Sequence, residues 1–194
     1  FVRLPDLAPT FMEIGGAKPP EGLYGRSLLK LLQSDRSGQV EPDRTWVITG
    51  RERHVEDARE GYLPYPMRAL RTKDFVYIRN FRPERTPMGD PKTALDPATI
   101  AGDALTENTR IGFADMDASP TKAWLVAHRD DAKWKWVYEH AFGKRPGEEL
   151  YDLRKDPDQV KNVAADPAYA KAKADLSAQL MKRLTDAQDP RVTG

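Results

Sequence analysis

The most regular alternation of apolar and polar positions lies in the middle of the chain, at residues 67–71 (MRALR) and 74–81 (DFVYIRNF). The second segment places its apolar residues on two faces in turn, Phe75, Tyr77 and Phe81 on one and Val76 and Ile78 on the other. This period of two is typical of a β-strand. Polar residues 72–74 between the segments suit a tight turn, so the pattern predicts a β-hairpin.

Two further short segments predict strands, TWVITG at 45–50 and the segment 149–153, in which Leu150 alternates with Tyr151. The segment 82–118 is different, because it holds several prolines and glycines and little periodicity. So long an irregular stretch in a compact domain is usually either functional or disordered.

Helical periodicity is strongest at the C-terminal end. Asp166-Pro167 offers an N-cap followed by proline in the first turn, and a buried stripe follows at Tyr169, Leu176, Leu180 and Leu184. The same Asp-Pro device at 156–157 predicts a single helical turn.

Shorter helices are predicted elsewhere. Residues 6–14 form one, with Asp6 as N-cap and an apolar face of Leu7, Phe11 and Ile14. Ser27 caps a second short helix, and Ser119-Pro120 opens a third that runs to about Asp130. WKWVYEHAF at 134–142 fits either a helix or an extended arm. A few strands and one long amphipathic helix predict an α+β fold, a small antiparallel sheet packed against the C-terminal helix.

Charge and composition exclude several functions. The 194 residues carry a formal net charge of +1, which gives no electrostatic case for nucleic acid or an anionic membrane, and no apolar run has the length of a membrane span. Cysteine is absent, which excludes disulfides, thiolate metal sites and a cysteine nucleophile within these residues. Because the chain starts with Phe1, we expect its true N-terminus to lie further upstream.

Residue chemistry alone indicates few sites. The three histidines, His54, His128 and His140, have no metal-ligand spacing, and the adjacent pair Asp130-Asp131 fits a solvated helix end better than a metal site. No nucleophile elbow, phosphate-binding loop or dinucleotide fingerprint occurs.

His54 lies in RERHVED, directly after a predicted strand, where functional side chains often lie, although the residues alone favour an exposed loop histidine without a role. Glu52 and Arg68 are further candidates. A guanidinium suits sulfate or carboxylate, but Arg68 could instead pair across the sheet. The aromatic residues Trp124, Trp134, Trp136 and Tyr138 could stack on sugar rings, and core packing is the alternative.

Four segments in order resemble a known family. They are DLAPTFMEIGG (6–16), GRSLLKLL (25–32), YPMRALRTKDFVYIRNF (65–81) and ELYDLRKDPDQVKNVAADP (149–167). Together they are similar to the C-terminal portion of sulfatases of the alkaline-phosphatase-like superfamily. The YPMRALRTKDF segment and the closing DPR at 189–191 favour the heparan N-sulfatase branch and its bacterial relatives. The resemblance is weakest across 82–118.

The resemblance implies that the catalytic apparatus lies elsewhere. In such enzymes a formylglycine made from C/S-x-P-S-R and the calcium ligands belong to the N-terminal half, and neither motif occurs here. The resemblance therefore implies no catalytic residue and no metal ligand in these residues. Residues 1–44 would end the large α/β domain and cross over, and residues 45–194 would form the C-terminal subdomain. The missing N-terminal catalytic half would be the partner, and relatives are usually exported or lysosomal.

The resemblance also implies a role for the RERH segment, which approaches the substrate in such enzymes. His54 is the first candidate substrate-binding residue, followed by Glu52 and Arg68. The leading hypothesis is thus part of a sulfatase that acts on sulfate esters or N-sulfates of a sulfated glycan and is inactive alone. The alternative is a stand-alone module that binds sulfated glycans or serves as a structural interaction domain.

Overall fold

The computed structural model describes residues 1–194 and contains four strands and eight α-helices. The strands are β1 (Trp46–Arg51), β2 (Met67–Thr72), β3 (Phe75–Asn80) and β4 (Glu148–Asp152). The helices are α1 (Leu7–Ile14), α2 (Leu29–Leu32), α3 (Pro97–Ala101), α4 (Ala104–Glu107), α5 (Pro120–Ala127), α6 (Lys135–Phe142), α7 (Ala170–Asp186) and α8 (Pro190–Thr193). The chain divides into two compact units, residues 1–48 with 71–73, and residues 49–70 with 74–194.

The strands form one antiparallel sheet in the order β1-β2-β3-β4. The register of β3 against β4 places Tyr77 opposite Leu150 and Phe75 opposite Asp152. Opposite residues of an antiparallel pair lie on the same face, so Tyr77 and Leu150, both fully buried, pack side by side. The predicted hairpin and the strand after it are therefore confirmed.

The long helix α7 covers this sheet. Leu176, Leu180 and Leu184 are its buried residues, as the stripe predicts, and the Tyr77 hydroxyl of β3 lies 3.0 Å from Ser177 Oγ of α7. Asp166 caps the helical start by accepting a hydrogen bond from Ala168 N at 2.9 Å. The predicted α+β layer of a small antiparallel sheet with a C-terminal helix is confirmed.

The segment 82–118 consists mostly of turns and loops, but its chain is packed into the domain. It contains α3, α4 and a 3-10 helix at Thr109–Ile111, and its apolar residues form a second core with residues of α5 and α6. The members are Ala94, Leu105, Phe113, Val126 and Phe142. A short-range pattern could not predict this core, because two of its five buried members, Val126 and Phe142, come from helices outside the segment.

Two tight features hold this second core together. A side chain at Gly112 would place its Cβ 1.9 Å from the Pro91 carbonyl oxygen, so the close approach of the two backbones requires glycine. The buried Lys122 ammonium of α5 donates to the carbonyl oxygens of Phe113 (3.2 Å) and Met116 (2.9 Å). A buried charge therefore holds the loop that precedes α5.

The prediction at Asp156 is wrong, and the one at Asp6 holds only for its position. No helix follows Asp156; its carboxylate instead accepts from Val160 N (3.2 Å) and Lys161 N (2.8 Å), which closes a turn. Asp6 occupies the N-cap position of α1, but its side chain makes no capping hydrogen bond. Its buried carboxylate accepts instead from Arg26 N (3.0 Å) and from the Arg44 guanidinium (3.0 Å).

The remaining helices agree with the patterns in part. Ser119 caps α5 by accepting from Lys122 N at 3.1 Å, but α5 ends at Ala127 rather than near residue 130. The 134–142 segment forms the helix α6. The predicted apolar face of α1 is exposed in its unit, with Leu7 at 38%, Phe11 at 66% and Ile14 at 60% of full exposure. No helix is long and apolar enough to span a membrane.

Candidate functional site

The structure brings two of the candidate residues, Glu52 and Arg68, into direct contact. Arg68 lies on β2 and Glu52 follows the last residue of β1. Arg68 Nη2 donates to Glu52 Oε1 at 2.7 Å. A side chain at Gly50 would place its Cβ 2.7 Å from Arg68 Cδ, so the glycine of β1 leaves the space through which the arginine reaches Glu52.

Two further residues complete the arrangement. Arg68 Nε and Nη2 donate to the two oxygens of Asp189 at 2.7 and 3.1 Å, which is a bidentate pair. Arg191 Nε and Nη2 donate to Glu52 Oε2 at 2.9 and 2.5 Å. We call Glu52, Arg68, Asp189 and Arg191 the Glu52 cluster. Its four charges alternate in sign and cancel.

The guanidinium of Arg68 has no donor left for a ligand. In addition to the carboxylates, its Nη1 donates to the carbonyl oxygens of Met67 (3.0 Å) and Arg51 (3.4 Å). All five N–H groups of the fork are thus directed at acceptors within the chain. A sulfate could bind Arg68 only by displacing one of these internal partners.

The cluster holds both of its carboxylates in the ionised form. Burial raises the pKa of Glu52, but hydrogen bonds from Arg191 and Arg68 outweigh burial and lower it below the ordinary value. Burial likewise raises the pKa of Asp189, and the hydrogen bonds from Arg68 and from Arg191 N lower it overall. Asp189 also begins α8, because it accepts from Arg191 N at 2.9 Å.

His54 lies on the loop that follows Glu52. Its side chain is exposed, and no hydrogen bond or ion pair joins it to the Glu52 cluster. The loop around it is nevertheless fixed. Val55 N donates to Asp115 Oδ1 at 2.9 Å, and Arg59 Nη2 donates to Asp115 Oδ2 at 2.7 Å. The side chains of Asp115 and Arg59 are almost completely buried. This ion pair therefore anchors the loop, while the imidazole of His54 stays accessible.

Residue chemistry did not single out Asp189 and Arg191, which contact the candidate residues, or Asp115, which contacts the loop of His54. Asp189 is separated from Arg68 by 121 positions, and Asp115 is separated from Arg59 by 56. The closing DPR motif was the one available signal for Asp189 and Arg191. Nothing in the pattern around Asp115 distinguishes it from other acidic residues of the 82–118 segment.

The carboxylates and histidines considered as metal ligands do not come together in the structure. No group of three or more His, Asp or Glu side chains could hold a metal ion. Asp131 Oδ1 accepts from Lys133 N at 2.8 Å, and exposed Asp130 lies 3.5 Å from Arg129 Nε. His128 Nδ1 lies 2.8 Å from the Trp124 carbonyl oxygen.

The four aromatic residues divide between core and surface. Tyr138 packs against Phe113 and Phe142 of the second core, with ring centroids 6.4 and 5.2 Å away. Trp124 is exposed, stacks on His128 at 4.1 Å and meets Trp134 edge-on at 5.1 Å. Trp136 is the most exposed of the tryptophans, at 57%.

The chain is similar in sequence to known sulfatases. An ulvan-active sulfatase of Formosa agariphila is 29% identical over 187 residues, which cover 95% of this chain and 25% of that protein. The N-sulphoglucosamine sulphohydrolase of Homo sapiens is 24% identical over 194 residues, covering 99% of this chain and 34% of that enzyme. The chain thus spans about a quarter to a third of the length of the curated relatives it matches. No family model matches the chain.

Solved structures show the same fold. The structure of BT4656 in complex with its substrate D-glucosamine-2-N,6-O-disulfate superposes with a TM-score of 0.53 at 17% identity, over 97% of this chain and 25% of that one. The fold matches the C-terminal part of sulfatase structures. The chain is homologous to sulfatases and matches only a portion of them. The predicted resemblance is confirmed.

Proposed function

We propose that the chain is the C-terminal part of a sulfatase that hydrolyses sulfate esters or N-sulfates of a sulfated glycan. The observation that carries the proposal is the match to sulfatases over nearly the whole chain and only about a quarter of their length. The relatives include an N-sulphoglucosamine sulphohydrolase and an ulvan-active sulfatase, and the substrate of BT4656 is a sulfated glucosamine. These names support a sulfated saccharide as the substrate class.

The division of labour in the complete protein follows from the same resemblance. The formylglycine and the calcium ligands would belong to the N-terminal catalytic half, since neither C/S-x-P-S-R nor the family's calcium-ligand motifs occur in residues 1–194. Residues 1–44 would end the large α/β domain, and 45–194 would form the smaller subdomain. The exposed apolar face of α1 supports this proposal, because a face of this kind marks a contact surface.

Within this chain the proposed substrate contact is His54. His54 is exposed on a loop that Asp115 fixes through a hydrogen bond from Val55 N. Its imidazole therefore has a defined position and remains accessible to a ligand. Glu52 and Arg68 act through the loop, because their polar atoms are directed at each other, at Asp189 and at Arg191. We therefore assign the Glu52 cluster to positioning of the substrate-binding loop.

The test begins with the coding sequence upstream of Phe1, in which we expect C/S-x-P-S-R. The full-length protein is then assayed for sulfate release from glucosamine N-sulfate, glucosamine 6-O-sulfate and ulvan oligosaccharides by ion chromatography. We expect release by the full-length protein and a rise in KM for His54→Ala, with His128→Ala as the matched control histidine.

Three results would contradict the proposal. One is a start codon directly before Phe1 with no catalytic segment upstream. Another is sulfate release by residues 1–194 alone. The third is a full-length protein that binds sulfated glycans but releases no sulfate from them, which would favour the alternative of a stand-alone binding or structural module.

A further inference from the structure

A groove beside α6 combines an exposed aromatic ring with unpaired positive charges. Its volume is about 630 Å³, and its walls include Lys135, Trp136, Glu139 and Arg145. Val160, which is 46% exposed, also lines the groove. The first three residues share one stretch of α6, and Arg145 follows in the loop that leads to β4.

The cations of this groove differ from the buried arginines of the chain. Arg44, Arg59 and Arg68 are buried and paired with carboxylates. No carboxylate lies within ion-pair distance of Lys135 or Arg145, and the one side-chain hydrogen bond of Arg145 goes to the His140 carbonyl oxygen. Unpaired cations on a surface keep their capacity to bind an anion.

Trp136 adds a second kind of recognition. More than half of its surface is exposed, although a ring of this size is normally well buried in a folded domain. An exposed indole offers a flat apolar face together with a polar N–H. Beside it, the Glu139 carboxylate can accept hydrogen bonds from hydroxyl groups. Aromatic face, carboxylate and cations together match a ring-shaped ligand that carries both hydroxyls and negative groups.

We propose that the α6 groove binds a sulfated saccharide unit, with the sugar ring on Trp136, sulfate groups on Lys135 and Arg145, and a hydroxyl on Glu139. This inference rests on the proposed function for the choice of a sulfated glycan over other anions. It adds a second contact with the glycan, at a different part of the chain from the His54 loop. The groove would hold a neighbouring sugar of the same glycan molecule or a sugar of an adjacent glycan molecule.

The test is calorimetric titration of the 194-residue chain at low ionic strength with a heparin-derived tetrasaccharide and with its desulfated counterpart. We expect binding of the sulfated probe alone, weakened by added salt. Trp136→Ala should raise Kd about tenfold, since aromatic contacts of this kind contribute about the free energy of one decade in affinity. Lys135→Gln should raise Kd by a smaller factor of about two to five, as expected for an exposed charge.

The matched controls are Tyr24→Ala, an exposed aromatic outside the groove, and Lys182→Gln, an exposed cation on α7. Both should leave Kd unchanged, and thermal unfolding should confirm that all variants fold. Absence of binding, equal binding of the desulfated probe, or an unchanged Kd for Trp136→Ala would overturn the proposal. If the full-length protein releases sulfate while the 194-residue chain binds no probe, the groove proposal fails and the proposed function stands. If the chain binds the probe but the full-length protein releases no sulfate, the groove proposal stands and the proposed function fails.

Discussion

The pair Arg68–Asp189 offers a direct measurement of how strongly the Glu52 cluster holds the C-terminal end to the sheet. The substitutions are Arg68→Gln and Asp189→Asn, singly and together. Asparagine is as good a helix cap as aspartate, so Asp189→Asn removes the ion pair and keeps the start of α8. The double-mutant cycle then isolates the interaction between the two side chains.

The structure gives the magnitude. The side chains of Arg68 and Asp189 are only 10% and 15% exposed, and two hydrogen bonds of 2.7 and 3.1 Å join them. Hydrogen bonds to charged groups contribute about 1.5–3 kcal/mol, so we expect a coupling free energy of about 2 kcal/mol. Each single variant should lower the free energy of unfolding by about 2–3 kcal/mol, below the full cost of breaking a completely buried pair.

The assay is urea denaturation of the 194-residue chain, followed by tryptophan fluorescence and circular dichroism. With the usual dependence on denaturant, the midpoint should fall by about 1 M for each single variant. A parallel cycle on Lys182 and Asp186, whose side chains are 74% and 60% exposed and 2.6 Å apart, should give only about 0.3–0.5 kcal/mol. The reasoning is refuted if both cycles give the same small coupling.

Two further predictions concern the α7 layer and acid stability. Leu180→Ala removes a fully buried side chain of α7 and should lower the free energy of unfolding by about 2–5 kcal/mol, whereas Leu180→Met should cost under about 1.5 kcal/mol; equal losses in thermal or urea unfolding would contradict this packing. Hydrogen bonds from Arg154 outweigh burial and lower the pKa of Asp152 from its ordinary value of 3.8 to about 2. Because the unfolded chain therefore binds this proton more readily, the stabilisation is present above about pH 4 and is lost as the pH falls towards 2. Asp152→Asn should flatten that acid limb, while Asp175→Asn, at an exposed carboxylate of α7, should leave it unchanged when urea midpoints are compared between pH 5 and 2.

Much of the candidate site could not be predicted from the sequence, because its residues lie far apart along the chain. Glu52 directly follows β1 and Arg68 lies on the neighbouring strand β2, 16 positions away, so their meeting could be anticipated from a sheet, but Asp189 is 121 positions from Arg68. An ion pair between residues so far apart in sequence depends on the path of the folded chain, and the local sequence around either residue does not predict that path. The same holds for Asp115, which fixes the His54 loop from a segment without periodicity.

The sequence by itself determined the elements whose cause is local. The period of two in 74–81 specified β3, and the leucine stripe with Asp166-Pro167 specified the start and the buried face of α7, because alternation and capping act within a few residues. Only the tertiary structure decided that Asp6 is a buried partner of Arg44 rather than a cap, and that the 82–118 segment shares a core with α5 and α6. In both cases the groups that satisfy the charge or cover the apolar surface come from distant parts of the chain, and their arrangement exists only once the chain has folded.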